Sequence, residues 1–252
     1  MEPFFPQDSK QVVFFDLNRT IIDPVRTFNA AFLEAFSDYT GRLSPIGEEH
    51  RPAEQALAVY WQEREKRSKA RSTAGGNERE LRTACLRAAL GKLPLSEKSK
   101  QAEAMESRIR ELADRHPQLY ADALPTLERL AGRYSLAIIS NGRRERLLAR
   151  VTHAGLAPFF PENRLFTPAV DGRGKPHLDV YRRALSGMNV APEAAVMVGD
   201  SWKNDVKGAL SIGMSAIWLR HGASDTKPII KAAGRWHVIT LSSLTQLADG
   251  LT

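Results

Sequence analysis

The feature that most constrains this fold is a regular alternation of short apolar segments with amphipathic segments, which begins near Ala123 and continues almost to the C-terminus. Apolar strands that alternate with helices form a parallel sheet with helices on both faces. One more apolar segment, QVVFFD at residues 11–16, stands alone near the N-terminus and has the pattern of a buried parallel strand. The predicted fold class is therefore α/β, with a Rossmann-like parallel sheet.

The residues between this first strand and Ala123 have the apolar spacing of helices. Capping and helix-breaking residues divide them into four predicted helices. Gly41 ends the first, Pro52 opens the second, Asn77 caps the third and Ser96 caps the fourth.

The simplest domain organisation is a core interrupted by an insert. We expect an α/β core domain at residues 1–23 and 118–252, and an all-helical cap domain at residues 24–117 that closes over the substrate and excludes water. The length of 252 residues is sufficient for both. Boundaries placed from sequence alone are accurate to within a few residues.

Charge and cysteine content narrow the partners and the compartment. A net charge of +7 favours anionic partners, but no nucleic-acid-binding motif accompanies it, so a small phosphorylated metabolite is expected rather than nucleic acid. The single cysteine, Cys85, excludes an intramolecular disulfide and fits a reducing compartment. Neither a signal-peptide pattern nor an apolar run of about 18 residues is present, which predicts a cytoplasmic protein without a membrane span. The oligomeric state stays open.

Polar side chains suited to phosphate chemistry follow four of the predicted strands. They are Asp16, Ser140 with Asn141, Lys175, and Asp200 with Asp205 five residues later. A single acid after a strand is as readily explained as a helix cap, but four coincident strand ends are not. In an open parallel sheet these ends meet at one edge, where ligands bind. Two carboxylates there can hold Mg²⁺, a lysine and a hydroxyl can balance phosphoryl charge, and a carboxylate can attack phosphorus.

Four segments carry a family resemblance: FFDLNRTIID, LAIISNG, GKPHLDVY and VMVGDSWKNDVKGA. In order and spacing they resemble the signature motifs of the haloacid dehalogenase superfamily. The resemblance covers the core, and the cap matches only in position and helical character. It implies a Mg²⁺-dependent phosphatase that acts on a small phosphorylated substrate through an aspartyl-phosphate intermediate.

The resemblance also implies a role for each matching residue. Asp16 matches the nucleophile, and Thr20 matches the residue that steadies the first loop beside the substrate. Ser140 and the main chain of Asn141 match the phosphate-binding group. Lys175 matches the lysine that neutralises nucleophile and phosphate.

The metal ligands implied by the resemblance are Asp16, the main-chain carbonyl of Asn18, Asp200 and Asp205. One of these positions departs from the phosphatase pattern, because Asn18 stands where such enzymes usually carry a second Asp that acts as general acid and base. An amide cannot exchange a proton near neutral pH, and losing a general acid–base costs about 100- to 10,000-fold in rate.

Three interpretations of Asn18 remain open at this stage. In the first, the enzyme acts on substrates that need little protonation of the leaving group, such as acyl or aryl phosphates, or it recruits another group. In the second, the protein binds a phosphorylated ligand in a regulatory role without turnover. In the third, Asn18 is an engineered replacement that traps a complex. Dehalogenases of the superfamily also lack the second acid, but they dispense with the metal, which leaves Asp200 and Asp205 unexplained.

Several neighbouring residues have a simpler structural interpretation. Arg143, Arg144 and Arg146 are expected on a solvated helix surface, although they could steer anions. Trp218 is expected in the core, and His177 is expected at a helix start rather than in proton transfer. Trp202 is expected to form a pocket wall or to pack under the cap, and Arg19 is expected on an exposed loop.

Overall fold

The computed structural model describes residues 3–6, 9–43, 52–71, 77–91, 95–170, 172–223, 227–233 and 236–251. The chain divides into two compact units, which are Met1–Pro24 with Pro117–Thr252, and Val25–His116. We refer to them as the α/β unit and the helical unit.

The α/β unit is built on a seven-stranded sheet in the order β3-β2-β1-β4-β5-β7-β6, within the described part of the chain. The strands are β1 Val12–Phe15, β2 Ser135–Ile139, β3 Leu165–Phe166, β4 Ala195–Gly199, β5 Ser215–Leu219, β6 Ile229–Ala233 and β7 Trp236–Leu241. All neighbouring strands pair in parallel except β6 and β7, which are antiparallel. The order reverses beside β1, and this reversal creates the crevice where open α/β sheets bind ligands.

Helices cover both faces of this sheet. They are α5 Ala123–Ala131, α6 Arg144–His153, α7 Leu178–Gly187, α8 Gly208–Ile212 and α9 Leu244–Leu251. Alternate residues of β1 enter two separate apolar clusters, with Val13 and Phe15 on one face and Val12 and Phe14 on the other. Because β1 is buried on both faces, its sequence is continuously apolar rather than alternating. The predicted fold class is confirmed.

The helical unit has an apolar cluster of its own. Its helices are α1 Pro24–Leu43, α2 Ala53–Arg71, α3 Glu78–Ala89 and α4 Leu95–Arg115. The cluster centres on Phe32, which is fully buried and packs against the rings of Phe28, Phe36 and Tyr60. Cys85 is buried in the same cluster.

Two of the predicted helix boundaries are wrong. The helix α1 continues through Gly41 to Leu43, because an isolated glycine weakens a helix by about 1 kcal/mol without ending it. Ser96 lies inside the first turn of α4 rather than at its cap, since that helix begins at Leu95. The prediction for Asn77 is confirmed, because its side chain accepts a hydrogen bond from the main-chain N–H of Arg79 at 3.0 Å.

Candidate active site

The carboxyl ends of β1, β2 and β4 open into one cavity of about 320 Å³ in the α/β unit. Its wall is formed by Asp16, Asn18, Arg19, Ser140, Asn141, Gly142, Lys175, Asp200, Ser201, Asn204 and Asp205. Seven of the eight residues that the sequence singled out are therefore brought together. The exception is Thr20, which is fully buried outside the cavity wall, and its carbonyl contacts His221 Nε2 at 3.0 Å.

Lys175 is the buried centre of charge in this cavity. Its ammonium donates to Asp16 Oδ1 at 2.6 Å and to Asp205 Oδ1 at 2.6 Å. Its main chain is held by the side chain of Asn141, whose Oδ1 accepts from Lys175 N at 2.6 Å and whose Nδ2 donates to Lys175 O at 2.9 Å. The side chain of Asn141 thus fixes the loop that delivers the lysine, a function that the sequence did not indicate.

Asp205 is positioned by a tight turn after β4. It lies in a π-helical segment, Trp202–Lys207, and its Oδ2 accepts from the main-chain N–H of Ser201 at 2.9 Å. A Cβ atom at Gly199 would lie 2.3 Å from the same Oδ2, so this close approach requires glycine. Both carboxylate oxygens of Asp205 are therefore engaged by protein groups, which leaves Asp16 and Asp200 as the more accessible acids.

Ser140 and Asp200 stand on either side of Asp16, at the ends of the two strands that flank β1. Ser140 is 5% exposed, and its Oγ accepts from the N–H of Gly142 at 3.3 Å. The main-chain carbonyl of Asp200 accepts from Trp218 Nε1 at 2.8 Å. Trp218 is partly buried, packs against the apolar cluster that contains Val12 and Phe14, and also contacts the ring of Trp202, so it lies at the margin of the core where it was expected.

The cavity thus combines a carboxylate, a buried lysine that contacts it, a serine and a further acid at adjoining strand ends. A family model described as haloacid dehalogenase-like hydrolase matches residues 10–213. The chain belongs to that family.

Curated relatives of this haloacid dehalogenase-like hydrolase include phosphatases. A phosphoserine phosphatase from Thermus thermophilus is 35% identical over 136 residues, which are 51% of this chain and 53% of that protein. A glyceraldehyde 3-phosphate phosphatase from Pyrococcus furiosus is 34% identical over 89 residues, which are 35% of this chain and 36% of that protein. The chain thus spans about a third to a half of the length of these relatives.

A solved structure extends the similarity to the fold of nearly the whole chain. The HAD-hydrolase YfnB from Bacillus subtilis, described as bound to magnesium, superposes with a TM-score of 0.64 over 96% of this chain and 98% of that one. The sequence identity is 21%, so the likeness concerns the fold.

Asn18, the residue at which the sequence departs from the phosphatase pattern, contacts a side chain of α6. The guanidinium of Arg150 donates a hydrogen bond to Asn18 Oδ1, and Arg150 is 9% exposed. The sequence analysis missed Arg150. A detectable signal is its place in the apolar face of α6, between the buried residues Leu147 and Val151.

Three further arginines lie at the start of α6 and are exposed, as expected: Arg143, Arg144 and Arg146. Arg144 also donates to Leu165 O at 2.8 Å and pairs with Glu162. His177 occupies the N-terminal cap position of α7 and contacts Asp179. These residues do not form part of the cavity wall within the described chain.

The pKa values of two acids in the cavity, Asp16 and Asp200, are raised because these carboxyl groups are buried and lie close to other carboxylates. Burial raises the pKa of Asp16 to about 6, with Asp205 and Asp200 acting in the same direction against the opposing effect of Lys175. Burial and Asp205 likewise raise the pKa of Asp200, against Arg19 and Lys175. The pKa of Lys175 is raised even though burial acts to lower it, because Asp16 and Asp205 favour the ammonium.

Such crowding is the arrangement that a divalent cation relieves. No group of three or more His, Cys, Asp or Glu side chains forms a self-sufficient metal cage in the described residues. A Mg²⁺ ion needs no such cage, because it accepts one or two carboxylates and completes its shell with water and substrate phosphate. Asp16 and Asp200 fit that requirement.

A separate observation concerns membranes. No helix in the described ranges has both the length and the apolar composition needed to cross a bilayer.

Proposed function

We propose that this protein is a Mg²⁺-dependent phosphatase that acts on a small phosphorylated substrate through an aspartyl phosphate at Asp16. The observation that supports this best is the Asp16–Lys175–Asp205 chain, with two contacts of 2.6 Å at the crevice of the sheet. The phosphatase relatives support the same reaction class.

Each cavity residue has a part in the proposed reaction. The carboxylate of Asp16 attacks phosphorus, and Lys175 orients that carboxylate while it balances the charge of the phosphoryl oxygens. Ser140 and the main-chain N–H groups beside it bind those oxygens. Asp205 holds the lysine, so its influence on the metal is indirect.

The residues that would hold Mg²⁺ are Asp16, Asp200 and the main-chain carbonyl of Asn18. When bound, the ion supplies positive charge that offsets the repulsion between the anionic nucleophile and the anionic substrate. Asn18 contributes to this site through its carbonyl, so the replacement of the usual Asp leaves that ligand intact.

The proposed cap role of residues 24–117 follows from their insertion directly after the first motif. In this proposal the helical unit supplies substrate specificity, while the chemistry stays with the α/β unit.

A second candidate function is supported by the side chain at position 18. Because Asn18 cannot donate a proton and is held by Arg150, the protein could bind a phosphorylated ligand in a regulatory role without turnover.

The two functions are separated by assays with p-nitrophenyl phosphate and acetyl phosphate in the presence and absence of Mg²⁺. The native chain, Asp16→Asn and Asn18→Asp are compared. We expect Mg²⁺-dependent release of phosphate by the native chain and by Asn18→Asp, and loss of activity in Asp16→Asn. Turnover that appears only in Asn18→Asp would favour the binding function. Undiminished activity in Asp16→Asn would refute the aspartyl-phosphate route.

A further inference from the structure

The orientation of the Asn18 amide is determined by its neighbour. A guanidinium has hydrogen-bond donors and no acceptor, so only the amide oxygen of Asn18 can face Arg150. The amide nitrogen occupies the other branch of the same side chain, and Asn18 forms part of the cavity wall. The position at which the family resemblance places a proton donor therefore carries an amide, whose N–H groups can form hydrogen bonds but transfer no proton.

Arg19 adds positive charge next to this amide. Its φ angle is 60°, which is uncommon for a residue other than glycine, and its side chain is exposed and contributes to the cavity wall. Its positive charge favours the ionised form of Asp200, although burial keeps the pKa of that acid above its ordinary value. Arg19 thus places a cationic side chain at a backbone position that favours glycine.

Asn18 and Arg19 are adjacent in the chain and thus give one side of the cavity wall side chains with N–H donors and a positive charge but no proton to transfer. We propose that this side selects substrates in which the leaving group is itself an oxyacid, so that phosphoanhydrides and acyl phosphates are turned over in preference to alkyl phosphate esters. In this proposal Asn18 and Arg19 contact the departing group, and Arg150 is a positioning residue for Asn18. The inference rests on the proposed phosphatase function and specifies its substrate class.

The reaction balances without a protein acid. The carboxylate of Asp16 forms a bond to phosphorus, and the bond from phosphorus to the bridging oxygen breaks. The leaving phosphate or carboxylate keeps that electron pair as a stable oxyanion, which Asn18 and Arg19 stabilise. Water then attacks phosphorus, and the bond from phosphorus to the Asp16 oxygen breaks. Asp16 recovers its carboxylate, orthophosphate leaves, and one proton of the water passes to solvent. An alkyl ester would instead release a strongly basic alkoxide, which requires protonation.

The decisive comparison is between pyrophosphate, acetyl phosphate and glycerol 3-phosphate with Mg²⁺ and the native chain. We expect kcat/KM for the first two to exceed that for glycerol 3-phosphate by at least about 100-fold, the lower end of what a general acid contributes. Asn18→Asp is expected to raise the rate with glycerol 3-phosphate and to narrow the ratio. Equal rates with all three substrates in the native chain would overturn the inference but leave the phosphatase proposal intact. No turnover of any substrate, p-nitrophenyl phosphate included, would overturn both.

The role of Arg19 is tested with substrates whose leaving groups differ in charge rather than in acidity. Arg19→Gln should lower kcat/KM for pyrophosphate by about 10-fold or more, the usual effect of losing a hydrogen bond between charged groups. With p-nitrophenyl phosphate, whose leaving group carries no second charge, the change should stay below about 3-fold. Arg129→Gln removes one charge from an exposed ion pair between Arg129 of α5 and Asp249 of α9 and is the matched control. Equal losses with both substrates would exclude Arg19 from leaving-group recognition.

Arg150 is tested by partial rescue. Arg150→Met should lower kcat for pyrophosphate with little change in KM, because the amide of Asn18 loses its fixed orientation, whereas Arg150→Lys retains a donor and should recover part of kcat. A parallel loss in both variants, or a loss that follows the free energy of unfolding, would show that Arg150 is only structural.

Discussion

Lys175 is the residue on which the charge balance of the cavity depends. It is 5% exposed and lies between two carboxylates at 2.6 Å. A buried ion pair contributes little net stability, but removal of one partner leaves an uncompensated charge in a poorly solvated place. Here two carboxylates, Asp16 and Asp205, depend on the same cation.

We predict that Lys175→Met destabilises the α/β unit by about 3–5 kcal/mol in the absence of metal, since it leaves both acids without their ammonium partner. Urea unfolding in the presence of a chelator measures the change. Lys203→Met, at an exposed lysine of the turn after β4, is the control and should change the free energy of unfolding by less than about 0.5 kcal/mol. A loss below about 1 kcal/mol in Lys175→Met would show that the acids find other partners.

At the scale of elements, the packing of α3 against α4 includes a buried charge. Glu106 on α4 is 5% exposed and pairs with Arg82 on α3 at 3.2 Å and with Arg110 one turn further along α4. Burial alone would raise the pKa of Glu106, but the two guanidinium groups outweigh it, so the pKa is lowered. Glu106 therefore joins two helices through its charged form.

Because the pKa of Glu106 is lowered in the folded state, the free energy of unfolding depends on pH. A carboxyl group whose pKa is lower in the folded state stabilises the fold above its unfolded pKa of about 4.3, and this stabilisation is lost as the pH falls through the folded value. We predict that Glu106→Gln lowers the free energy of unfolding by about 1–3 kcal/mol at pH 7 and by much less below about pH 4.

Chemical denaturation at several pH values measures this difference. Glu111→Gln, at an acid of α4 whose side chain is 45% exposed, is the control and should cost less than about 1 kcal/mol. A loss in Glu106→Gln that is independent of pH would contradict the ionic explanation.

At the scale of the whole molecule, the two units have separate apolar clusters. The helical unit is centred on Phe32, while the two clusters of the α/β unit lie on opposite faces of the sheet. Separate cores permit separate local unfolding, since stability is distributed over cooperative units.

We predict that Phe32→Ala lowers the protection of helix amides in Val25–His116 by an amount equivalent to about 3–5 kcal/mol and leaves the amides of β1 and β4 nearly unchanged. Native-state hydrogen exchange measures both sets. Val25→Ala, at a position 51% exposed, should leave both sets unchanged. An equal loss of protection in the sheet would show that the chain unfolds as one unit.

The sequence alone determined the α/β class and the identity of the polar residues after the strands. A run of consecutive apolar residues, such as residues 12–15, indicates a strand that is buried on both faces of a sheet. The carboxyl ends of parallel strands then converge at one edge of the sheet, whatever the details of packing. The family resemblance determined the expected roles of those residues, including the departure at Asn18.

The contacts between the cavity residues depend on how the whole α/β unit packs. This packing placed Arg150 against Asn18, set the side chain of Asn141 against the main chain of Lys175, and directed the indole N–H of Trp218 to the carbonyl of Asp200. The physical reason is that each contact joins residues from distant parts of the chain through helix rotation, strand register or loop conformation. These quantities are set by the packing of the whole unit and leave no periodic trace in the local sequence.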